Sequence, residues 1–138
     1  MNVKKAQIVL PFILLVSGII IEIVIAGSLA SYFSSGSAYS LRLASRASAA
    51  AYAGLNDALM QISRNKDFGL SNPTYGIILG NDSATVSIES SVFTSYYTYT
   101  ITVLGVAGTR QTKIIGIVNV NKQNGLVKVE SIKEVAVN

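Results

Sequence analysis

The chain begins with an uninterrupted apolar run over residues 8–33. Its sequence is IVLPFILLVSGIIIEIVIAGSLASYF, and Glu22 is the only charged residue in it. At 1.5 Å per residue, a helix of that length extends about 39 Å, enough to cross the roughly 30 Å hydrocarbon core of a bilayer. The pattern therefore predicts a transmembrane helix at residues 8–33, preceded by a short basic segment at residues 1–7.

A cleaved secretory signal peptide is the main alternative interpretation of this run. Lys4 and Lys5 resemble the basic start of such a peptide, and Ala26, Gly27 and Ser28 supply small residues for cleavage. The apolar run is too long for a signal peptide, and a cut at this point would leave the small-residue-rich region after Ser28 without its anchor. We therefore expect the helix to be retained.

The basic residues that flank the run indicate its orientation. Lys4 and Lys5 lie close to its start, whereas Arg42 and Arg46 lie nine or more residues beyond its end. Because basic residues near a span favour the cytoplasmic side, this bias favours an N terminus inside and a C-terminal part outside the cytoplasmic membrane. The bias is modest, since two basic residues stand on each side.

The helical period continues beyond the apolar run. Small and apolar residues recur at spacings of three and four, namely Leu43, Ala47, Ala50, Ala51, Gly54, Leu55, Ala58, Leu59 and Ile62. No proline lies between Phe12 and Asn72. The pattern predicts one helix from about Lys4 to about Asn65, weakest at residues 34–37, in which residues 34–66 form an amphipathic continuation.

After Pro73 the period of the pattern changes to two. Apolar and hydroxyl side chains alternate over residues 84–89 and 97–103, and two further strand-like runs cover residues 112–121 and 126–132. Asn124-Gly125 is a strong hairpin-turn signal and Gly108 a weaker one. Short connections predict an antiparallel meander of four strands, or of five if residues 75–79 pair as well.

Such a sheet has one apolar face to cover, and the apolar side of the helix is the element available to cover it. The sequence thus predicts an α+β fold. A long N-terminal α-helix with an apolar first half is followed by a small C-terminal antiparallel β-sheet, residues 74–138, packed on the second half of the helix. Leu43, Ala47, Leu55 and Leu59 are expected in this contact.

Alternation also divides the tyrosine- and threonine-rich strand between two faces. Tyr97 and Tyr99 share the side of Ile101 and Val103, which we assign to the core. The other side carries Tyr96, Thr98, Thr100 and Thr102. A half-exposed strand explains these residue types, and a contact surface for another subunit or an external ligand is the functional alternative.

The charged and reactive residues exclude several classes of site. The chain has no His and no Cys, which excludes disulfides, thiol redox centres and catalytic triads built on either residue. We predict neither a metal site nor a cofactor. The net charge of +4 comes from eleven basic and seven acidic residues without a run of three like charges, so nucleic-acid binding is weakly supported, though not ruled out.

Glu22 is the residue in the apolar run that most requires an explanation. A carboxylic acid at the centre of a span costs roughly 2.5 to 3.5 kcal/mol, so it is usually retained for a partner. We expect Glu22 to face neighbouring subunits and to pair with an amine or a hydroxyl such as Ser17 or Ser28. The alternative is a protonated glutamate tolerated by lipid.

Small residues form two rows near Glu22 that predict close helix packing. One row consists of Ala26, Ala30, Ser34 and Ala38, and the other of Gly27, Ser31 and Ser35. The alternative is the ordinary composition of membrane helices. In the C-terminal part, Asn81-Asp82-Ser83 fits the acceptor sequence for N-glycosylation, and a turn explains the same three residues equally well.

In its architecture the whole chain resembles the type IV pilin-like proteins, in particular minor pilins and pseudopilins. The resemblance is most specific in GIIIEI, residues 18–23, and in the helix segment AAAYAGLNDAL, residues 49–59. It implies an apolar helix half that packs into a filament core, with the sheet domain outside. It also implies a structural subunit rather than an enzyme.

The leader departs from the family pattern, in which a short polar segment ends in a glycine cut by a prepilin peptidase and glutamate is fifth in the mature chain. Here the polar segment ends in Gln7, and Gly18 lies inside the apolar run. A cut after Gly18 would make Glu22 fourth, and a cut after Ser17 would make it fifth. Either cut would leave residues 19–33, or one residue more, as the apolar anchor.

We therefore expect a structural subunit of a type IV pilus-like extracellular filament, anchored in the membrane before assembly and polymerising through its N-terminal helix. Its partners would be copies of itself or other pilin-like subunits, the membrane and an assembly machinery. Adhesion, motility, secretion and DNA uptake all remain open. The alternative function is a single-pass membrane protein with an external binding domain that does not polymerise.

Overall fold

The structure is a computed structural model that describes residues 3–137, with side chains from Leu10 onward. The side chains of the predicted basic segment, Lys4 and Lys5 included, therefore lie outside the described residues. One α-helix, α1, covers Val3–Arg64 with Pro11 inside it, which confirms the single helix predicted from about Lys4 to about Asn65. The chain divides into an N-terminal unit that ends at Tyr39 and a C-terminal unit that starts at Ser40.

A five-stranded antiparallel sheet follows the helix, after a short 3-10 helix at Phe68–Ser71. Its strands are β1 (Thr74–Leu79), β2 (Asp82–Val92), β3 (Tyr96–Ala107), β4 (Arg110–Asn121) and β5 (Val127–Val135). They lie in the order of the chain, so the sheet is a simple meander in which each strand pairs with the next. The predicted fifth strand does pair, because β1 forms a full ladder with β2.

The second half of α1 packs on one face of this sheet within the C-terminal unit. The buried core joins helix residues to inward-facing strand residues, including Leu43, Ala47, Ala51, Leu55, Ala58, Ile62, Val86, Ile88, Tyr99, Ile101, Val103, Ile114, Val118 and Val120. Leu59 is half-buried against the same cluster. The predicted α+β fold and its helix-on-sheet contact are therefore confirmed.

Glycine and alanine bring the helix unusually close to the sheet at the centre of this contact. A Cβ atom at Gly105 in β3 would overlap the carbonyl oxygen of Ala47 and would lie 2.5 Å from the backbone nitrogen of Ala51. A Cβ at Gly54 would lie 2.8 Å from a methyl group of Val103. Because backbone atoms cannot move aside as a flexible side chain can, the absence of a side chain at position 105 sets the distance between helix and sheet.

Replacing Gly105 by alanine should therefore destabilise the C-terminal unit by about 2 to 3 kcal/mol, the upper part of the usual range for overpacking a core. Gly76→Ala in β1 is the matched control, because nothing lies within 4 Å of a Cβ built at that position. Urea unfolding of the full chain in detergent measures both variants. Equal midpoints for the two would contradict the close approach at Gly105.

Polar contacts anchor the two ends of the helix segment to the sheet. At the Ser40 end, Arg46 makes a bidentate ion pair with Asp82, with distances of 3.0 Å from Nε to Oδ2 and 2.7 Å from Nη2 to Oδ1. At the other end, the Tyr99 hydroxyl donates to the carbonyl oxygen of Lys66 at 2.5 Å. Burial, followed by the neighbouring Tyr97 and Asp67, raises the pKa of Tyr99 to about 12.

Candidate functional site

The N-terminal unit presents its apolar side chains outward. Every described side chain from Leu10 to Tyr39 is exposed, and the large apolar ones range from 38% exposure at Val16 to 76% at Tyr32. By length and composition α1 can cross a membrane. Because these apolar groups have no cover within the unit, they require lipid or the surface of another protein.

Glu22 lies in the middle of this exposed apolar surface. Gly18 is one helical turn before it and Ala26 one turn after it, so a narrow strip of small residues flanks the carboxylate along the helix. Among the described residues, none makes a hydrogen bond or an ion pair with Glu22. The carboxylate is thus accessible to a donor from another molecule.

The two hydroxyl groups considered as partners for Glu22 differ in the structure. The hydroxyl of Ser28 donates to the carbonyl oxygen of Val24 at 2.8 Å, so its only proton already serves its own helix. Ser17 is exposed and has no hydrogen bond to a described residue. Of the two, Ser17 retains a free donor. The candidate processing position, Ser17 and Gly18, lies inside α1 with helical residues on both sides.

Among the described residues, no close neighbour explains the glycines of the N-terminal unit. Nothing lies within 4 Å of a Cβ built at Gly18 or at Gly27, whereas Gly54 and Gly105 of the C-terminal unit are fixed by close neighbours. Glycine inside a helix costs roughly 0.5 to 1 kcal/mol relative to alanine. The other predicted assembly residues, Ala26, Ala30, Ser31 and Ser34, are likewise exposed. These small residues leave room on the helix surface for another backbone.

The outer face of the sheet carries the second candidate surface, and the face assignment of its tyrosines is confirmed. Tyr99 is fully buried, whereas Tyr96 is 39% exposed on the opposite face. The ring of Tyr96 stacks on that of Phe93 across the β2–β3 hairpin, with centroids 4.9 Å apart and planes at 20°. Sequence reasoning missed Phe93, which the hairpin register places beside Tyr96.

The threonine row is less uniform than the sequence suggested. Thr98 donates to the side-chain oxygen of Asn119 at 2.7 Å, so its hydroxyl proton is engaged within the sheet. Thr100 and Thr102 are half-buried opposite Ile117 and Ile115 of β4. The surface is therefore mixed, with aromatic rings at the β2–β3 turn and aliphatic side chains toward the other end.

The sheet carries exposed charged groups along its edge strand β5, whereas Glu22 is the one charged residue of the apolar run 8–33. Lys128 and Glu130 form an exposed ion pair at 2.9 Å on β5, which lowers the pKa of Glu130 and raises that of Lys128. Lys122 lies 4.9 Å above the ring of Tyr97. Within the part of the chain that the structure describes, no group of three or more acidic residues is placed to hold a metal ion.

No protein-family model, no curated protein and no solved structure matches this chain. Similarity therefore assigns the chain to no family, and its function has to be inferred from the two surfaces described above.

Proposed function

We propose that the chain is a structural subunit of a type IV pilus-like extracellular filament. It is held in the cytoplasmic membrane by its N-terminal helix before assembly, with the C-terminal unit outside. It then polymerises with copies of itself or with other pilin-like subunits, its apolar helix half passing from lipid into the filament core with the help of an assembly machinery.

The contrast between the two units is the observation that carries this proposal. The C-terminal unit buries its own core, including ten large side chains that are less than 2% exposed. The N-terminal unit leaves every described side chain exposed, although its residues are almost all apolar or small. Lipid alone would satisfy the leucine, isoleucine and valine side chains, but it gives no reason for Glu22 beside Gly18 and Gly27.

A helix-to-helix contact accounts for these residues together. Aliphatic side chains lose little when lipid is replaced by other helices, so packing and polar pairs set the register between subunits. Close approach at Gly18 and Ala26 would bring a neighbouring chain to the carboxylate of Glu22. The helix start of the same chain is about 30 Å away along the helix. The partner of Glu22 therefore belongs to a staggered neighbour, either as an amino terminus or as a hydroxyl such as Ser17.

The two edge strands of the sheet, β1 and β5, have features that resist pairing with a strand of another chain. They therefore favour assembly through the helix. β5 carries alternating exposed charges at Lys128, Glu130, Lys133 and Glu134, and its pairing with β4 shifts register at Ile117/Val118. β1 has only six residues. Short strands, bulges and edge charges are the features by which sheets resist edge-to-edge pairing. The sheet is thus suited to lie outside the core of a polymer.

Glu22→Leu should reduce filament formation at least about tenfold, because the loss of a hydrogen bond to a charged group costs about 1.5 to 3 kcal/mol and 1.4 kcal/mol is a factor of ten. Glu22→Gln should fall between this variant and the wild type, since an amide keeps a hydrogen bond without the charge. The measurement is the amount of this chain in filaments sheared from cells, relative to the amount in membranes.

Glu89→Gln is the matched control, because Glu89 is an exposed acid on the sheet that forms no ion pair with a described residue. It should assemble like the wild type. Full assembly of both Glu22→Gln and Glu22→Leu would show that no polar group is required at position 22. Recovery of the wild-type chain only as a membrane monomer would favour the single-pass protein that does not polymerise.

A further inference from the structure

The tight turn between β1 and β2 contains an asparagine that the turn itself does not need. Leu79 and Asp82 form the last pair of the ladder, so Gly80 and Asn81 are the two turn residues. Gly80 has a φ of +67°, and glycine in the first central position is the requirement of a type II′ turn. Asn72 is the one described non-glycine residue with a positive φ. Asn81 is therefore not selected for a left-handed backbone.

Asn81 also differs from other asparagines in the turns of this chain. At three of these asparagines, which lie in two turns, the side-chain oxygen accepts a hydrogen bond from the backbone N–H two residues further on, at 3.1 Å for Asn65, 2.8 Å for Asn121 and 2.9 Å for Asn124. The amide of Asn81 is exposed and makes no hydrogen bond to a described residue. The usual reason for asparagine in a turn is thus absent here.

The three residues Asn81-Asp82-Ser83 match the acceptor sequence for N-linked glycans, Asn-X-Ser/Thr with X other than proline. Asp82 directs its carboxylate to Arg46, while the side chain of Ser83 is exposed without a hydrogen bond to a described residue. The two groups that a transferring enzyme must reach, the amide and the hydroxyl, are therefore both accessible. The chain has one other Asn-X-Ser/Thr sequence, Asn72-Pro73-Thr74, and its proline in the X position excludes it as an acceptor.

Two exposed apolar side chains lie next to the β1–β2 turn. Ile78 is 83% exposed, more than any other large apolar side chain of the C-terminal unit, and it pairs in register with Ser83. Leu79 is 37% exposed and borders a groove lined by Ala49, Ala50 and Ala53. Ile78 and Leu79 point to opposite faces of the sheet, and a sugar attached at Asn81 would lie beside one of these faces and could cover its apolar side chain.

We propose that Asn81 is an N-linked glycosylation site. In the reaction, Nδ2 of Asn81 forms a bond to the anomeric carbon of a glycan carried on a lipid phosphate. The bond from that carbon to the phosphate oxygen breaks, the lipid phosphate leaves, and one amide proton passes to a base of the transferring enzyme. The inference rests on the proposed function in one respect, since it requires the C-terminal unit to be outside the cytoplasm.

The test is mass spectrometry of the full chain from the membranes of cells that N-glycosylate exported proteins. The peptide containing Asn81 should carry whole sugar residues in the wild type and in Ser83→Thr, and none in Asn81→Gln or Ser83→Ala. Leu126→Thr provides the control for the host, because it creates an acceptor sequence at Asn124 in the exposed β4–β5 turn. The location of the C-terminal unit is measured separately by labelling a thiol introduced by Ser63→Cys with a membrane-impermeant maleimide.

External labelling together with a sugar at Asn81 supports the inference. External labelling with a sugar at Asn124 of Leu126→Thr but none at Asn81 overturns it and leaves the proposed function intact. A sugar that persists in Asn81→Gln also overturns it. A protected thiol contradicts the proposed membrane topology, and the inference fails with it.

Discussion

Tyr99→Ser should unfold most of the C-terminal unit, whereas Tyr96→Ser should leave it folded. Tyr99 is fully buried among Ile88, Ile101 and the other core residues, and its ring fills the space against Gly69. Truncating a buried aromatic side chain costs about 3 to 5 kcal/mol, a large share of the 5 to 15 kcal/mol that stabilises a typical domain. The lost hydroxyl also leaves the carbonyl of Lys66 without its donor.

Thermal unfolding of the full chain in detergent, followed by tyrosine fluorescence, measures this difference. Tyr96→Ser removes a ring that is 39% exposed and stacked only on Phe93, so its cost should stay near 1 kcal/mol. Its effect should appear instead in filament yield, if the outer face of β3 is a contact surface. If Tyr96→Ser unfolds the unit while Tyr99→Ser leaves it stable, the assignment of these two tyrosines to the outer face and the core is wrong.

Tyr99 also makes the stability of the C-terminal unit depend on pH in the alkaline range. The pKa of Tyr99 is raised to about 12, mainly by burial, while in the unfolded chain it returns to its ordinary value near 10. Because the folded state holds this proton more tightly, its stabilising contribution is complete below pH 10 and is lost as the pH rises toward 12. Burial and Asp57 also raise the pKa of Tyr75, in the same direction. Tyr99→Phe should therefore weaken the alkaline loss without removing it.

Leu55→Asp should separate the sheet from the helix. Leu55 is 1% exposed, and its side chain reaches 3.0 Å from the position of a Cβ at Gly116 in β4. The substitution loses the packing of a buried leucine and places a carboxylate among the apolar side chains of the core. Together these effects should cost about 3 to 5 kcal/mol.

Limited proteolysis of the full chain in detergent measures whether the sheet has separated from the helix. The sheet should be cut rapidly in Leu55→Asp and should resist in Asn56→Asp, which introduces the same charge at the neighbouring exposed position. Equal protease resistance of the two variants would contradict the helix-on-sheet core.

Much of the fold was predictable because its patterns are local. A helical period without proline from Phe12 onward predicts the continuation of α1 beyond the apolar run, and alternation along β3 separates Tyr96 from Tyr99 correctly. The close contact at Gly105 was not predictable, since it depends on which helix residue lies over which strand. The same holds for the Arg46–Asp82 ion pair, whose partners are 36 residues apart in sequence. The partners of Thr98 and Thr100 likewise follow from the register of β3 and β4.

Some features of the candidate site were also predictable from the sequence, and others were not. Glu22 could be identified from the sequence alone, because it is the single acid in an apolar helix. The small residues beside it could be identified in the same way. The structure adds that the Ser28 hydroxyl donates to the carbonyl oxygen of Val24, and that no described side chain lies within 4 Å of a Cβ built at Gly18 or Gly27. The partner of Glu22 lies in another molecule under the proposed function, so the pattern of one chain does not specify it.

Electron cryo-microscopy of filaments sheared from cells that express the chain tests polymerisation through the N-terminal helix most directly. The predicted result is a helical polymer of this chain in which residues 10–33 of neighbouring subunits pack together along the axis, with the C-terminal units outside. Glu22 should then lie within hydrogen-bonding distance of a donor from an adjacent subunit. A polymer in which these helices do not touch, or a chain found only as a monomer in the membrane, would contradict the proposed assembly.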